Sequence, residues 1–246
     1  MRAYQNLTLD VSMEDTNKIK LYHGSTVEVK KPMYNFGSDD NDYGRGFYLT
    51  EFYDRAESWA LAMGDSSGGI INEYTLDISD LTVLNLDDYG VLAWIAEVLS
   101  HRDLLTGIGI EFKDEFISKY KVNTDDADVI VGYRADDSYG TVIDEFMNGR
   151  LTHDEVKKLF YKGELGVQYF LKSEKAFNRI EFMRSYKADT SKSFNNEQIA
   201  RAEVNKFIAR RGVEIAKRIN PGFMTVIDAI ADDYKYVKDG DYYEKI

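Results

Sequence analysis

GRGFYLTEFYDRAESWALAM, residues 44–63, decides how this chain is read. GFYLT (46–50) is a short strand, rich in aromatic and β-branched residues. EFYDRAESWALAM (51–63) follows at once and carries Phe52, Ala56, Trp59, Ala60 and Met63 at helical spacing. Gly64 and SSGG (66–69) end that helix. Upstream, KIKLYH (18–23) alternates as a strand does. Between the two strands lies a long polar loop, residues 24–45, with Pro32 and the acidic run SDDNDYGRG (38–46). Residues 1–17 form a polar lead-in.

Downstream the pattern stays mixed. IINEYTLDI (70–78) and LTVLNL (81–86) read as strands of one sheet, and VLAWIAEVLS (91–100) as a helix with Trp94 on its apolar face. ADVIVGYRADD (127–137) reads as a buried strand running into a turn. Residues 138–161 suggest two short helices, the second opened by a capping box of Thr152 and Glu155. GVQYFLKS (166–173) is a strand, and EKAFNRIEF (174–182) starts as a helix and returns as a strand. From Asn195 to Ile219 the chain turns rich in Ala, Arg, Lys and Glu, with Val204, Phe207, Ile208, Ile215 and Ile219 on one helical face. Pro221 breaks that helix, and GFMTVIDAIADDYKYV (222–237) starts another. The expectation is an α+β domain over 18–186 and a helical C-terminal extension over 187–246.

Composition narrows the chemistry. The 246 residues carry a net charge of −12, which gives no general attraction to nucleic acid or anionic membrane. Cysteine is absent, which excludes thiolate nucleophiles and cysteine metal sites, and with three histidines no His-rich metal centre is expected. Without an apolar leader or a stretch of membrane-spanning length, the expected compartment is the cytoplasm.

Three places carry candidate chemistry. In LYHGS (21–25) a strand ends in His23, and Gly24 has no Cβ to keep a ligand from its backbone. The same pair also suits a strand-end His before an ordinary turn. In GRGFYLT, Tyr48 and Trp59, 11 positions apart at the two ends of a strand–helix unit, suit either a core or a slot for a flat cationic ring. On the late strand, alternation turns Gln168 away from Val167 and Tyr169. Its amide suits a ribose hydroxyl but has no basicity at neutral pH. Glu73 comes too early in the chain to replace it as an acid. Asp136 and Asp137 are candidates on the acceptor side, or a solvated turn. Asp125, Asp126 and Asp128 read as loop charges, and His101 and His153 as surface residues near helix ends.

Taken together, LYHGS, GRGFYLT with its helix, and a polar residue on a late strand resemble the His-Tyr-Glu branch of the ADP-ribosyltransferase superfamily. The resemblance is closest to a bacterial family called domain of unknown function 3990. It also covers VGYRADD (131–137) and VQYF (167–170), and spans about residues 18 to 180. It implies split antiparallel sheets with flanking helices, and NAD⁺ as co-substrate without a metal. By that resemblance His23, Tyr48 and Gln168 are the catalytic set. His23, Gly24, Ser25, Gly46, Phe47, Tyr48, Arg55 and Trp59 bind the dinucleotide. His23 would bond the nicotinamide ribose, Gly24 clamp the carboxamide, Tyr48 line the pocket and Trp59 stack on the ring. Ala56 departs from the branch, which often has a hydroxyl there. Gln168 stands where the wider superfamily has its catalytic Glu.

The implied activity is mono-ADP-ribosylation of a protein or nucleic-acid acceptor, as in a toxin or defence effector. The extension lies outside the resemblance and either packs on its own domain or docks a substrate or a partner such as an antitoxin, and no membrane is expected. Gln168→Glu is expected to raise NAD⁺ hydrolysis. The rival reading is a module on the same fold that binds NAD⁺, ADP-ribose or a protein partner without turnover. Metal-dependent hydrolysis at the Asp cluster ranks last.

Overall fold

The computed structural model describes residues 17–64, 68–134, 137–162, 167–191, 202, 205–208, 234–236 and 243–245. Its elements run β1 (Lys18–Ser25), β2 (Phe47–Leu49), α1 (Tyr53–Met63), β3 (Ile70–Asp77), β4 (Val83–Asn85), a 3₁₀ turn (Leu86–Tyr89), α2 (Gly90–His101), α3 (Gly109–Tyr120), β5 (Val129–Tyr133), α4 (Asp137–Met147), α5 (His153–Lys162), β6 (Val167–Leu171), α6 (Glu174–Phe177), β7 (Ile180–Lys187), β8 (Tyr234–Tyr236) and β9 (Tyr243–Lys245). The fold class is α+β, as the alternating and helical patterns imply. Helix α3 has no counterpart in the sequence expectations.

The strands form two sheets in the body, ordered β1-β3-β7 and β2-β6-β5-β4. The first is antiparallel throughout, and the second is antiparallel except for the β4–β5 pair, which is parallel. A parallel pair needs a crossover, and α2 and α3 supply it. The expectation that 70–78 and 81–86 share a sheet is therefore corrected. Asp128 draws the second stretch away: its carboxylate accepts from the Thr82 N–H at 2.8 Å, and its own N–H donates to the Thr82 carbonyl at 2.8 Å. Asp128 is thus a buried brace, not a loop charge. Ser173 Oγ donates to it at 2.5 Å and Lys175 pairs with it at 3.4 Å. Although burial works to raise its pKa, these partners outweigh burial and hold it below the usual carboxylate value.

The two sheets pack on each other through Leu21, Leu49, Tyr74, Leu76, Val129, Val131 and Leu171. Helix α1 covers the outer face of the first sheet with Ala56 and Ala60 against Ile71 and Tyr22. The larger core covers the outer face of the second, with Trp94, Phe116, Phe146 and Phe160 packed against Ile130 and Phe170. The capping box forms: Thr152 N–H donates to Glu155 Oε2 at 2.9 Å, and Glu155 N–H to Thr152 Oγ1 at 3.4 Å. His153, next to it, is at a helix end as expected but is buried.

Beyond residue 187 the chain stays tied to the body. Ala188 is buried and bonds the Gly69 carbonyl at 2.9 Å, and Asp189 N–H donates to Glu57 Oε1 at 2.9 Å. Phe207 and Ile208 pack against the larger core. β8 pairs antiparallel with β9, so the end of the stretch 222–237 is strand, not helix. In register Tyr236 stands opposite Tyr243. The rest of the extension lies outside the described residues, as does residue Glu164. No helix among the described residues is long and apolar enough to cross a membrane.

Candidate functional site

Besides the shared core, a backbone seam joins the two sheets. Tyr22 of β1 and Thr50, just after β2, form a single isolated bridge, with N–H to carbonyl distances of 2.7 and 2.9 Å. One step further the strands part. In a continuing ladder the Gly24 backbone would bond Tyr48. Instead the His23 side chain reaches across, and its Nδ1 lies 2.8 Å from the Tyr48 carbonyl. A carbonyl only accepts, so Nδ1 carries the proton and Nε2 is left as an acceptor. Burial lowers the His23 pKa below its ordinary value, and the bond to Tyr48 only partly opposes this. The ring is held against Phe47 at 4.4 Å between centroids.

Gly24 is required for packing. A Cβ there would stand 2.0 Å from the Ala56 carbonyl and 2.7 Å from the Ala60 nitrogen, so α1 lies directly on the Gly24 backbone. Its side-chain face is therefore filled by protein. What remains is its strand edge: Tyr22 turns its N–H and C=O toward Thr50, and two residues later Gly24 turns its own to the same side. Ser25 is spent on the loop that follows. Its Oγ donates to the Val27 carbonyl and accepts from Asn72 Nδ2 at 3.1 Å. Gly46 is also a packing glycine, since a Cβ would meet Phe170 Cε2 at 2.3 Å and the Leu171 carbonyl at 2.5 Å.

Tyr48 contributes its carbonyl to His23, while its side chain goes the other way. The ring lies on Phe170 at 4.9 Å, and its hydroxyl donates to the Gly44 carbonyl at 2.6 Å and accepts from the Tyr43 N–H at 3.1 Å. Burial raises its pKa well above the usual phenol value. Trp59 is 40% exposed on α1, and the Arg134 guanidinium lies over its ring at 4.2 Å. Arg55, one turn before Trp59, is half-buried on the same helix face.

Alternation and register place Gly24, Tyr48 and Gln168 on the outer side of the sheets. The His23 ring is on the inner side with Phe47. Among the described residues no hydrogen bond or ring contact joins Gln168 to His23 or Trp59. Gln168 is buried, and its Nε2 donates to Asp42 Oδ2 at 2.9 Å and to the Tyr133 carbonyl at 3.2 Å. Asp42 in turn pairs with Arg102 at 3.0 Å. Tyr43 Oη donates to the Tyr133 carbonyl at 2.5 Å and accepts from Trp94 Nε1 at 2.9 Å.

Asp42, Tyr43 and Arg102 carry no signal of their own in the sequence, and Tyr133 only the general resemblance of VGYRADD. Asp42 hides in the run SDDNDYGRG, where three acids look alike and one is buried. Glu73 is engaged elsewhere, accepting from Tyr186 Oη at 2.5 Å and facing Arg184. Asp137 opens α4, and Asp136 lies outside the described residues. No group of three or more His, Asp or Glu among the described residues is placed to hold a metal ion.

The sequence family described as Protein of unknown function (DUF3990) matches residues 19–182, which spans β1 through the start of β7. No curated protein and no solved structure matches the chain.

Proposed function

We propose a function from the premise that this chain belongs to the DUF3990 family: it binds NAD⁺ at the seam where β1 and β2 part, and transfers ADP-ribose from it to a macromolecular acceptor. The observation that carries this reading is the His23–Tyr48 bond. It leaves His23 Nε2 as a neutral acceptor for a ribose hydroxyl, beside the unzipped edge of Gly24, whose N–H and C=O match a carboxamide. Trp59 offers an aromatic plate for the cationic nicotinamide, at a position now taken by the Arg134 guanidinium. In this chemistry the leaving nicotinamide departs neutral, so the protein's task is to orient the sugar and stabilise spreading positive charge.

A second reading, a module that binds NAD⁺ or ADP-ribose without turnover, is favoured by one feature. Gln168 brings no charge, and both its donor bonds are engaged within the protein. Incubation with NAD⁺ separates the two. Free nicotinamide above the buffer blank supports transfer; binding without release supports the module; neither sinks both. Labelled NAD⁺ in a lysate, split into protein and nucleic-acid fractions, then identifies the acceptor class.

A further inference from the structure

The Gln168 amide is held in one orientation by two partners that only accept, and the Tyr43 hydroxyl beside it has its hydrogen committed to the Tyr133 carbonyl. Asp42 Oδ2 and the Tyr133 carbonyl both take hydrogens from Nε2, at 2.9 and 3.2 Å. Exchanging the amide's oxygen and nitrogen would set oxygen against oxygen twice, so this orientation is imposed by chemistry. Among the described residues Oε1 accepts no hydrogen bond, and the residue keeps 7% of its surface open. The cage around the NH₂ group is built for the purpose. Gly132 is the cross-strand partner of Gln168, and a Cβ there would stand 2.4 Å from the Tyr43 hydroxyl. Its absence lets Tyr43 share the Tyr133 carbonyl. Arg102 balances the Asp42 charge at 3.0 Å, so Asp42 stays an acceptor inside the protein.

We infer that Asp42 is a positioning residue of the site: it spends the donors of Gln168 and leaves Oε1 as the one polar atom that Gln168 offers a ligand. Such a position takes a hydroxyl donor of a sugar and rejects an anion, because an acceptor oxygen repels phosphate or carboxylate oxygens. This inference rests on the NAD⁺ reading above.

The test is nicotinamide release from NAD⁺ by the full chain, with kcat and KM, beside thermal melting. The variants are Asp42→Ala, Asp42→Asn, Gln168→Ala and the double Asp42→Ala/Gln168→Ala. Loss of one oriented hydrogen bond is expected to lower kcat roughly tenfold or more in either alanine variant. The double variant is expected to fall no further, because Asp42 acts through Gln168. Asp42→Asn keeps an acceptor for Nε2 but sets its own NH₂ against Arg102. Its melting temperature should fall while its kcat stays within about threefold of wild type. A merely structural Asp42 would instead make kcat follow stability through the whole series. Should Asp42→Ala fail to fold, Asp42→Asn decides. Wild-type kcat in Asp42→Ala, multiplying losses in the double variant, or an Asp42→Asn kcat that tracks its melting temperature would each overturn the inference while the NAD⁺ reading stands. A wild type that releases no nicotinamide overturns both.

Discussion

His23 Nδ1 and the main-chain carbonyl of Tyr48 stand 2.8 Å apart across the point where two strands separate. A side chain there takes the place of a ladder bond. The seam stays joined by an imidazole, while the Gly24 edge stays open.

That imidazole is neutral in the folded state, and its pKa lies below the ordinary 6.5 because burial penalises the charged form. A depressed folded value means its contribution is present above the unfolded pKa and is lost as pH falls through the folded one. The melting temperature should therefore drop as pH is lowered from about 7 toward 5, and NAD⁺ affinity with it, since a protonated Nε2 no longer accepts. Melts and binding isotherms of wild type and His23→Gln over that range check this. A wild-type profile parallel to that of His23→Gln would remove His23 as the titrating group.

Gly24→Ala should destabilise the chain by about 3 kcal/mol, at the upper end of overpacking costs. The new methyl would meet the Ala56 carbonyl at 2.0 Å, and a helix backbone has less room to yield than a side chain. Urea unfolding with an unchanged m-value and a lowered midpoint is the expected record. An unchanged midpoint would mean that α1 does not rest on β1 as described.

Gln168→Glu sets a second carboxyl against Asp42 and the Tyr133 carbonyl. Two carboxyls at hydrogen-bond distance share one proton, so the new acid has a pKa raised above the usual value of about 4.3. A raised folded value makes its stability contribution complete below the unfolded pKa and lost as pH rises through the folded one. The variant should melt close to wild type near pH 4.5 and fall behind it increasingly toward pH 8. The rise in NAD⁺ hydrolysis that the sequence suggests for this change is then expected only when Asp42→Asn accompanies it. Equal melting of variant and wild type at pH 8 would show that the two side chains do not meet.

Trp59 and Trp94 are the two tryptophans, and Trp94 is 1% exposed against 40% for Trp59. A nicotinamide that stacks on Trp59 must displace the Arg134 guanidinium, and should quench the Trp59 emission. Arg134→Ala removes the competitor, and a surface cation–π contact of about 0.5–1 kcal/mol predicts a two- to fivefold lower Kd for NAD⁺. Trp59→Phe should abolish the quench. Unchanged emission at saturating NAD⁺ would take Trp59 out of the site.

Much of the fold is written in local pattern. Alternation marks β1 and β6, helical spacing marks α1 and α2, and Thr152 with Glu155 marks the start of α5, because each signal acts within a few residues of itself. The place of the candidate site was legible in the same local way. LYHGS and GRGFYLT point to the β1–β2 seam, and the seam is where His23 and Tyr48 meet. Local pattern misleads where distance along the chain matters. LTVLNL looks like a partner of the strand before it, yet Asp128 pulls it into the other sheet from 46 residues away.

The sequence by itself determined most of the element types, the family and the residue types available to the site, since these follow from periodicity and motif. Only the tertiary structure decided what each residue has left to offer. Ser25 and the Tyr48 hydroxyl are engaged by the protein, and Gly24 is filled on one side and open on its edge. Gln168 is turned by Asp42, 126 residues away in the chain. The reason is physical: a hydrogen-bonding group makes few bonds, and which of them are already made depends on neighbours brought together by folding.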